Sequence, residues 1–223
     1  MLQLTIVGGG KRDFEVKKLL NAGYTSRDPS GARKHIEELK KDGIPAPSSI
    51  PTLYPKINDR ITTADKIEVL YEGITSGEAE FILLFEPDII YVGVGSDHTD
   101  RRLEQHNILT AKQMCVNVIP AEVWRYEEVA DHWDKLIFRS WVDKDGQQQL
   151  YQEAKLGTYM KVADLINMVE GHTADDLSGM VFYAGTIPVL GGELCFSRHF
   201  EAQLIDEQMG RSLMCAYSVE PIT

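Results

Sequence analysis

The stretch SGEAEFILLF, residues 76–85, constrains the fold more than any other part of the chain. Successive side chains of a strand point to opposite faces, so Glu78 and Glu80 share one face with Ile82 and Leu84. The apolar run is bounded by a glycine and a proline, which is typical of a strand covered on both faces. Because an unpaired carboxylate in such a place is costly, we expect positive charge to meet the two glutamates.

Length and composition indicate one globular domain with a substantial core. The 223 residues are 43% hydrophobic and 26% charged, as in ordinary soluble proteins. The net charge of -11 comes from acids that are dispersed along the chain. We therefore expect neither nucleic acid nor an anionic membrane as a partner.

The lack of targeting signals and the use of cysteine both favour a cytoplasmic location. The first residues lack the basic leader and apolar core of a signal peptide, and no apolar run reaches transmembrane length. The three cysteines are odd in number and far apart, which indicates neither a disulfide framework nor a zinc site.

The residue patterns predict many strands and few helices. LQLTIV, a turn at Gly8 to Gly10, and DFEVKKLLNAGY predict an N-terminal hairpin. Residues 29–42 carry the clearest helix pattern, and the proline-rich residues 45–55 predict an extended crossing. Short helices are predicted at 99–106 and 160–171. Further strands are predicted at 66–71, 78–85, 88–95, 135–142 and 180–187, with 193–206 and 211–219 as a closing pair.

A hard-cation site is predicted where two of these strands meet. In YVGVGSDHTDRR, residues 91–102, a strand runs into a glycine-flexible turn that delivers Asp97 towards Glu78 and Glu80. Three carboxylates without sulfur or imidazole suit Mg²⁺, Mn²⁺ or Ca²⁺ better than zinc. The ion would offset the repulsion and burial of the glutamates. The alternative is a solvated strand face without an ion.

Two further patterns could supply catalytic groups. His35 and Glu38 are three residues apart, so on a helix they share a face, and a carboxylate-steadied imidazole can activate water. Lys112 could balance negative charge on a substrate near the ion. The alternatives are a surface histidine and a solvated lysine.

Two further sequence features are weaker indications of a functional site. The backbone amides of Gly185 and Thr186, in YAGTIPVLGGE, could hold a substrate carboxylate, although the same residues suit a tight turn. The cluster of His132 and Asp134 beside Trp133 is interpreted as packing at the edge of a strand.

The order of these motifs resembles the fumarylacetoacetate hydrolase superfamily and, within it, the uncharacterised DUF2848 family. The resemblance spans roughly residues 20–220. The glutamate pair, the metal aspartate, the lysine, the Thr-Gly-Thr-Pro loop and the His-x-x-Glu lid dyad of the superfamily are matched, in turn, by Glu78 and Glu80, Asp97, Lys112, Thr186 in AGTIP, and His35 with Glu38.

The resemblance implies an α+β, β-rich fold, a mixed β-roll with a few short helices. It implies one domain over residues 1–223, in which residues 1–45 form a small hairpin and helix that act as a lid. It also implies a homodimer and a bound Mg²⁺ or Mn²⁺, with Ca²⁺ as a further candidate. The implied activity is hydrolytic cleavage of a carbon–carbon bond in a small 2-oxo or β-diketo carboxylic acid. The alternatives are decarboxylation or tautomerisation on the same metal, and a non-catalytic metabolite-binding protein of the same fold.

The chain departs from the superfamily pattern near the expected ion. Where the superfamily continues Asp-Val-Ser-Ala-Arg, this chain has Asp97-His98-Thr99-Asp100-Arg101, which places an extra imidazole and carboxylate nearby. We expect Arg101 to bind substrate. The lysine motif has lost its Gly, Ser and Phe, and an isoleucine is inserted in the Thr-Gly-Thr-Pro loop, so the pocket is expected to be reshaped for a different substrate.

Overall fold

Strands predominate in the computed structural model of the chain, which describes residues 1–28, 30, 36, 47, 49–173 and 176–223. The strands are β1 Leu2–Ile6, β2 Gly10–Phe14, β3 Lys18–Gly23, β4 Thr52–Lys56, β5 Ile61–Thr62, β6 Lys66–Val69, β7 Thr75–Ser76, β8 Ala79–Phe85, β9 Ile90–Asp97, β10 Thr99–Asp100, β11 Asn117–Val118, β12 Glu122–Arg125, β13 Ile137–Lys144, β14 Gln147–Lys155, β15 Met180–Tyr183, β16 His199–Asp206 and β17 Arg211–Pro221. The α-helices are α1 Arg101–Glu104, α2 Ile108–Met114 and α3 Val162–Glu170.

The strands form two main sheets and a short ribbon. The larger sheet has the order β2-β1-β12-β9-β8-β15-β3-β4, with β11 and β5 joined beside β9. It is mixed, because β8 is antiparallel to β9 and β15 whereas β15 is parallel to β3. The second sheet has the order β14-β13-β16-β17-β6, and the ribbon pairs β7 with β10. This architecture confirms the predicted β-rich mixed fold.

The two faces of β8 are buried in different parts of the core, as the sequence predicted. Phe81 and Leu83 pack in the larger cluster, which also contains residues of the second sheet such as Phe138. Ile82 and Leu84 pack on the opposite side, in a cluster that includes side chains of β1 and β2. Every residue of β8 is buried, so both faces of this strand are covered.

Several predicted strand boundaries are wrong. The N-terminal hairpin is present, but its second strand ends at Phe14, and β3 pairs in parallel with β15 instead. The strand predicted at 180–187 ends at Tyr183, and the one predicted at 193–206 begins at His199. Three glycines at positive φ lie in the intervening loop, where extended strand cannot continue: Gly185, Gly191 and Gly192.

The predicted helices at 99–106 and 160–171 are present as α1 and α3, whereas α2 was not predicted. The helix predicted over 29–42 lies, apart from Ser30 and Ile36, outside the described residues. None of the helices in the described ranges is long and apolar enough to span a membrane.

Candidate metal centre

The three predicted carboxylates meet where β8 begins and β9 ends. Glu78 precedes β8, Glu80 is its second residue, and Asp97 is the last residue of β9. The Asp97 amide donates to the Glu78 carbonyl at 3.0 Å, which places the two residues opposite each other. One carboxylate oxygen from each residue lies within 4.8 Å of the other two. The sequence prediction of a three-carboxylate cluster is therefore confirmed as geometry.

The glycines before Asp97 act differently from the prediction. Gly93 and Gly95 lie inside β9 and not in a turn, and the strand continues to Asp97. A Cβ atom at Gly95 would lie 2.2 Å from the Val118 carbonyl oxygen. Glycine is therefore required here because the backbone of the neighbouring strand approaches closely, not because the chain must turn.

Positive charge surrounds the carboxylates, as expected from their burial. Lys112, from α2, has its Nζ 3.3 Å from Glu78 Oε2 and also donates a hydrogen bond to Asp97 Oδ2. Lys56, at the end of β4, has its Nζ 3.1 Å from Asp97 Oδ1. Arg101 Nη1 lies 3.0 Å from Glu78 Oε1. Both oxygens of Asp97 therefore have a lysine partner.

The lysines keep Asp97 ionised although it is fully buried. Burial alone would raise the pKa of Asp97, but Lys112 and Lys56 together lower it to about 2. Burial opposes the charge of Lys112, yet Asp97 and Glu78 hold the pKa of this lysine well above its usual value. For Lys56 burial prevails, and its pKa is lowered.

The two glutamates titrate in opposite directions. Burial raises the pKa of Glu78, but Arg101 and Lys112 overcome this effect and lower it. Burial and the nearby charge of Asp97 raise the pKa of Glu80 well above its usual value. The positive charges near Glu80 are therefore too few to offset its burial and the charge of Asp97, and a bound divalent cation would lower the pKa of this glutamate.

The loop after β15 closes one side of the carboxylate cluster. Gly185, at φ +92°, donates its backbone N–H to Glu80 Oε2 at 2.7 Å. The adjacent Ala184 carbonyl accepts a 2.5 Å hydrogen bond from Thr25 Oγ1. Thr186 is exposed, and its hydroxyl accepts a hydrogen bond of 2.9 Å from Gln152 Nε2. The predicted substrate loop therefore lies beside the cluster, with the Gly185 amide directed to Glu80.

Arg101 has several protein partners. Its Nε donates to Ser76 Oγ at 2.7 Å, and its Nη1 donates to Glu104 Oε2 at 2.8 Å as well as to Glu78. Although burial disfavours its charge, Glu78 and Glu104 raise its pKa. Arg101 thus orients Glu78, and its role in binding substrate stays a prediction.

The extra imidazole and carboxylate expected near the ion have other partners. His98 is fully buried between Thr75 and Tyr217, and burial, aided by Arg101, lowers its pKa to about 3. Asp100 accepts a 2.9 Å hydrogen bond from the Leu103 amide as the N-cap of α1.

Of the remaining candidates, His35 and Glu38 lie outside the described residues, so the proposed dyad stays a prediction. His132 Nε2 lies 2.9 Å from Asp206, and Trp133 packs in the larger core cluster, as expected for structural packing. Lys56 was not predicted. It stands as one lysine at the end of a proline-rich stretch, and nothing local to the sequence indicates its contact with Asp97.

The mixed sheets and the carboxylate cluster define a protein with the fumarylacetoacetate hydrolase-like fold. A putative fumarylacetoacetate hydrolase family protein from Yersinia pestis is 16% identical and aligns over 100% of both chains with a TM-score of 0.65. A fumarylacetoacetate hydrolase family protein from yeast is 14% identical, covering 92% of this chain and 94% of that one, with a TM-score of 0.62.

A 2-keto-3-deoxyarabinonate dehydratase is 12% identical and covers 96% of this chain and 78% of its own, with a TM-score of 0.69. These similarities concern the fold. The family model described as protein of unknown function DUF2848 matches residues 22–217, and the chain belongs to that family. No curated protein matches the sequence.

Proposed function

We propose that the protein is a metal-dependent enzyme that hydrolyses a carbon–carbon bond in a small 2-oxo or β-diketo carboxylic acid. The observation that carries the proposal is the cluster of Glu78, Glu80 and Asp97, with one oxygen from each within 4.8 Å of the others. The fold supports a metal-dependent enzyme in general and does not specify the reaction. One protein of the same fold, a 2-keto-3-deoxy-D-arabinonate dehydratase, is complexed with magnesium and 2,5-dioxopentanoate.

The donor set fits a hard divalent cation. All three ligands are carboxylates. The raised pKa of Glu80 indicates that the neighbouring cations do not fully offset the negative charge of the cluster. Glu78, Glu80 and Asp97 would hold Mg²⁺ or Mn²⁺, and the same oxygens also suit Ca²⁺. Such an ion supplies Lewis acidity that polarises a substrate carbonyl.

The protein's own groups would bind and orient the acid. Lys112 retains its charge at neutral pH and lies against the cluster, so it can neutralise a substrate carboxylate or a developing oxyanion. The exposed loop at Thr186 would hold the other end of the substrate, with Arg101 assisting near Glu78. His35, steadied by Glu38, would remove a proton from the attacking water, within an N-terminal segment that closes over the site.

A second candidate is a decarboxylase or tautomerase that uses the same ion. Neither reaction requires an activated water. The groups needed are the carboxylate cluster and Lys112, which the structure places in direct contact. Product analysis separates the two reactions, because hydrolysis gives two fragments, decarboxylation gives carbon dioxide, and tautomerisation gives one isomer.

The first experiment is thermal unfolding of the chelator-treated protein during titration with Mg²⁺ or Mn²⁺. A cation that binds only the folded state raises the midpoint with concentration. We expect this rise in the wild type and not in the Glu78→Gln, Glu80→Gln double variant. Glu220→Gln, at an exposed pair with Lys66, is the control for the loss of a carboxylate away from the cluster and should respond like the wild type.

A panel of 2-oxo and β-diketo acids follows, with products identified by NMR in the presence of Mn²⁺. Two acid fragments, together with loss of turnover in His35→Ala, support the hydrolase. Unchanged turnover in His35→Ala contradicts the role of this residue. Stabilisation by oxo acids without turnover by any of them would instead identify a metabolite-binding protein.

We also propose that the protein is a cytoplasmic homodimer. A candidate contact is the loop between β15 and β16, which exposes Leu190, Leu194 and Phe196. Exposed apolar groups of this kind are common at interfaces between protein chains.

A further inference from the structure

A buried hydrogen-bond chain begins beside the carboxylate cluster, at His98. The ring Nε2 lies 2.9 Å from Thr75 Oγ1, and Nδ1 lies 2.9 Å from the Tyr217 hydroxyl. The Tyr217 hydroxyl also lies 2.8 Å from Ser96 Oγ. All four residues are at least 95% buried, so water does not compete for these bonds.

Both ring nitrogens of His98 have a hydroxyl partner, so the chain fixes the orientation of the ring. A neutral imidazole has one N–H and one acceptor nitrogen, and each hydroxyl can donate or accept as the ring requires. The chain is therefore satisfied by a single neutral tautomer of His98, and the Tyr217 hydroxyl joins that ring to Ser96 Oγ.

The chain ends on the proposed metal ligands. Ser96 Oγ accepts the backbone N–H of Glu78 at 3.1 Å. Ser96 and His98 are also the two neighbours of Asp97 in the sequence, so both sides of that ligand are fixed. Tyr217 belongs to β17, in the second sheet, and the chain therefore ties the metal ligands of the larger sheet to the other half of the core.

We propose that His98 and Tyr217 are positioning residues, and that their hydrogen-bond chain through Ser96 holds Glu78 and Asp97 in the geometry that binds a divalent cation. Neither residue contacts the carboxylate oxygens. The inference rests on the metal site of the proposed function, and it extends that site to a residue 119 positions away from His98 in the sequence. Partners that orient metal ligands usually contribute about 10-fold to 100-fold in metal affinity.

The test uses Tyr217→Phe, which removes the hydroxyl and keeps the ring that packs on Phe200. We expect its Mn²⁺ dissociation constant, measured by calorimetry, to rise about 10-fold or more. Tyr151→Phe is the matched control. Tyr151 also packs on Phe200, but its hydroxyl accepts from the Cys195 amide instead of joining the chain. Its Mn²⁺ affinity should stay that of the wild type.

A second measurement does not depend on metal or on the folding of a variant. The ¹⁵N shifts of the His98 ring in the metal-free wild type should report one neutral tautomer, because the chain holds both ring nitrogens, and a mixture of the two tautomers overturns the proposal. Equal Mn²⁺ affinity in the wild type and Tyr217→Phe overturns the positioning role while the metal site stands. If the wild type binds no Mn²⁺, the metal site of the proposed function fails, and the role assigned to the chain fails with it.

Discussion

Asp97 contacts two lysines, one through each carboxylate oxygen, and only one of these lysines is accessible to a ligand. The side chain of Lys56 is completely enclosed and donates to Asp97 and to Asn117 Oδ1, so it cannot face a ligand. Lys112 reaches both Asp97 and Glu78 and is slightly accessible, which leaves it able to face a ligand. The same buried ammonium can therefore balance the carboxylates and bind an anionic substrate, and its removal should affect both stability and activity.

Substitution of Lys112 by Met should destabilise the chelator-treated protein by about 3 kcal/mol, because it removes one of the positive partners of two buried carboxylates. Mn²⁺ should recover part of this loss, since the cation supplies the missing charge. Urea unfolding with and without Mn²⁺ measures both effects. Lys66→Met, at an exposed pair with Glu220, is the control and should leave the free energy of unfolding nearly unchanged. A Lys112→Met protein as stable as the wild type would contradict the pairing.

Gly185 is required by its backbone and by its surroundings. Its φ is +92°, and a Cβ atom there would lie 2.8 Å from Thr25 Oγ1. Gly191 has a similar φ of +79° with no atom within 4 Å of such a Cβ, so it isolates the backbone effect. We expect Gly191→Ala to lower the free energy of unfolding by about 1 kcal/mol. Gly185→Ala should lower it by about 1 to 3 kcal/mol more, because Thr25 must move.

Chemical denaturation of the two alanine variants measures this difference. Gly185→Ala should also weaken Mn²⁺ binding, since its amide is the donor to Glu80. Equal losses of unfolding free energy in the two variants would show that the loop accommodates the added methyl group at Gly185 without an energetic cost from Thr25.

At the scale of elements, Asp206 connects the end of β16 by hydrogen bonds to a neighbouring 3₁₀ helix and to the β16–β17 turn. Its carboxylate accepts hydrogen bonds from His132 at 2.9 Å, from the Met209 amide at 3.1 Å and from Arg211 at 3.3 Å. The guanidinium of Arg211 in turn lies 4.6 Å from the centre of the Trp124 ring. One buried side chain thus joins the β16–β17 turn to the 3₁₀ helix Ala130–Lys135.

Asp206→Asn should lower the free energy of unfolding by about 2 kcal/mol at pH 7, as expected for hydrogen bonds to a charged group. Burial raises the pKa of Asp206, but the hydrogen bonds from His132 and Met209 outweigh it and lower the pKa. A lowered folded pKa contributes stability above the unfolded pKa of about 3.9 and loses it as the pH falls further. The difference between wild type and variant, measured by urea unfolding, should therefore shrink from pH 7 to pH 3. A constant difference would contradict a charged Asp206.

The elements also show what the sequence could predict. β8 and β9 were predictable because each strand has two apolar faces. The region where β8 begins supplies Glu78 and Glu80, and the end of β9 supplies Asp97. β14, with the sequence QQQLYQEAK, was not predicted, because only Tyr151 and Gln152 in it are buried and pairing with β13 holds the rest. The contact of Lys56 with Asp97 joins residues 41 positions apart, so only the assembled sheet reveals it.

At the scale of the whole molecule, the carboxylate cluster lies where the two sheets and the short helices meet. Asp97 and Glu78 come from the larger sheet, Tyr217 from the second, and Lys112 from α2. The loop over residues 184–198 extends from this junction to β14 and is joined to it by the hydrogen bond from the Cys195 amide to the Tyr151 hydroxyl. This bond restrains the backbone between two of the exposed apolar side chains, Leu194 and Phe196, and apolar groups of this kind are enriched at interfaces between chains.

Phe196→Glu should convert the proposed dimer to a monomer, because it places a charge in the apolar contact surface. Phe196 is 47% exposed, so its replacement should not disturb the core. Light scattering after gel filtration should give twice the chain mass for the wild type and the chain mass for the variant. Met209→Glu, at a residue 60% exposed in the β16–β17 turn, is the control and should stay dimeric. A monomeric wild type refutes the dimer, whereas a Phe196→Glu protein that remains dimeric refutes this loop as its contact.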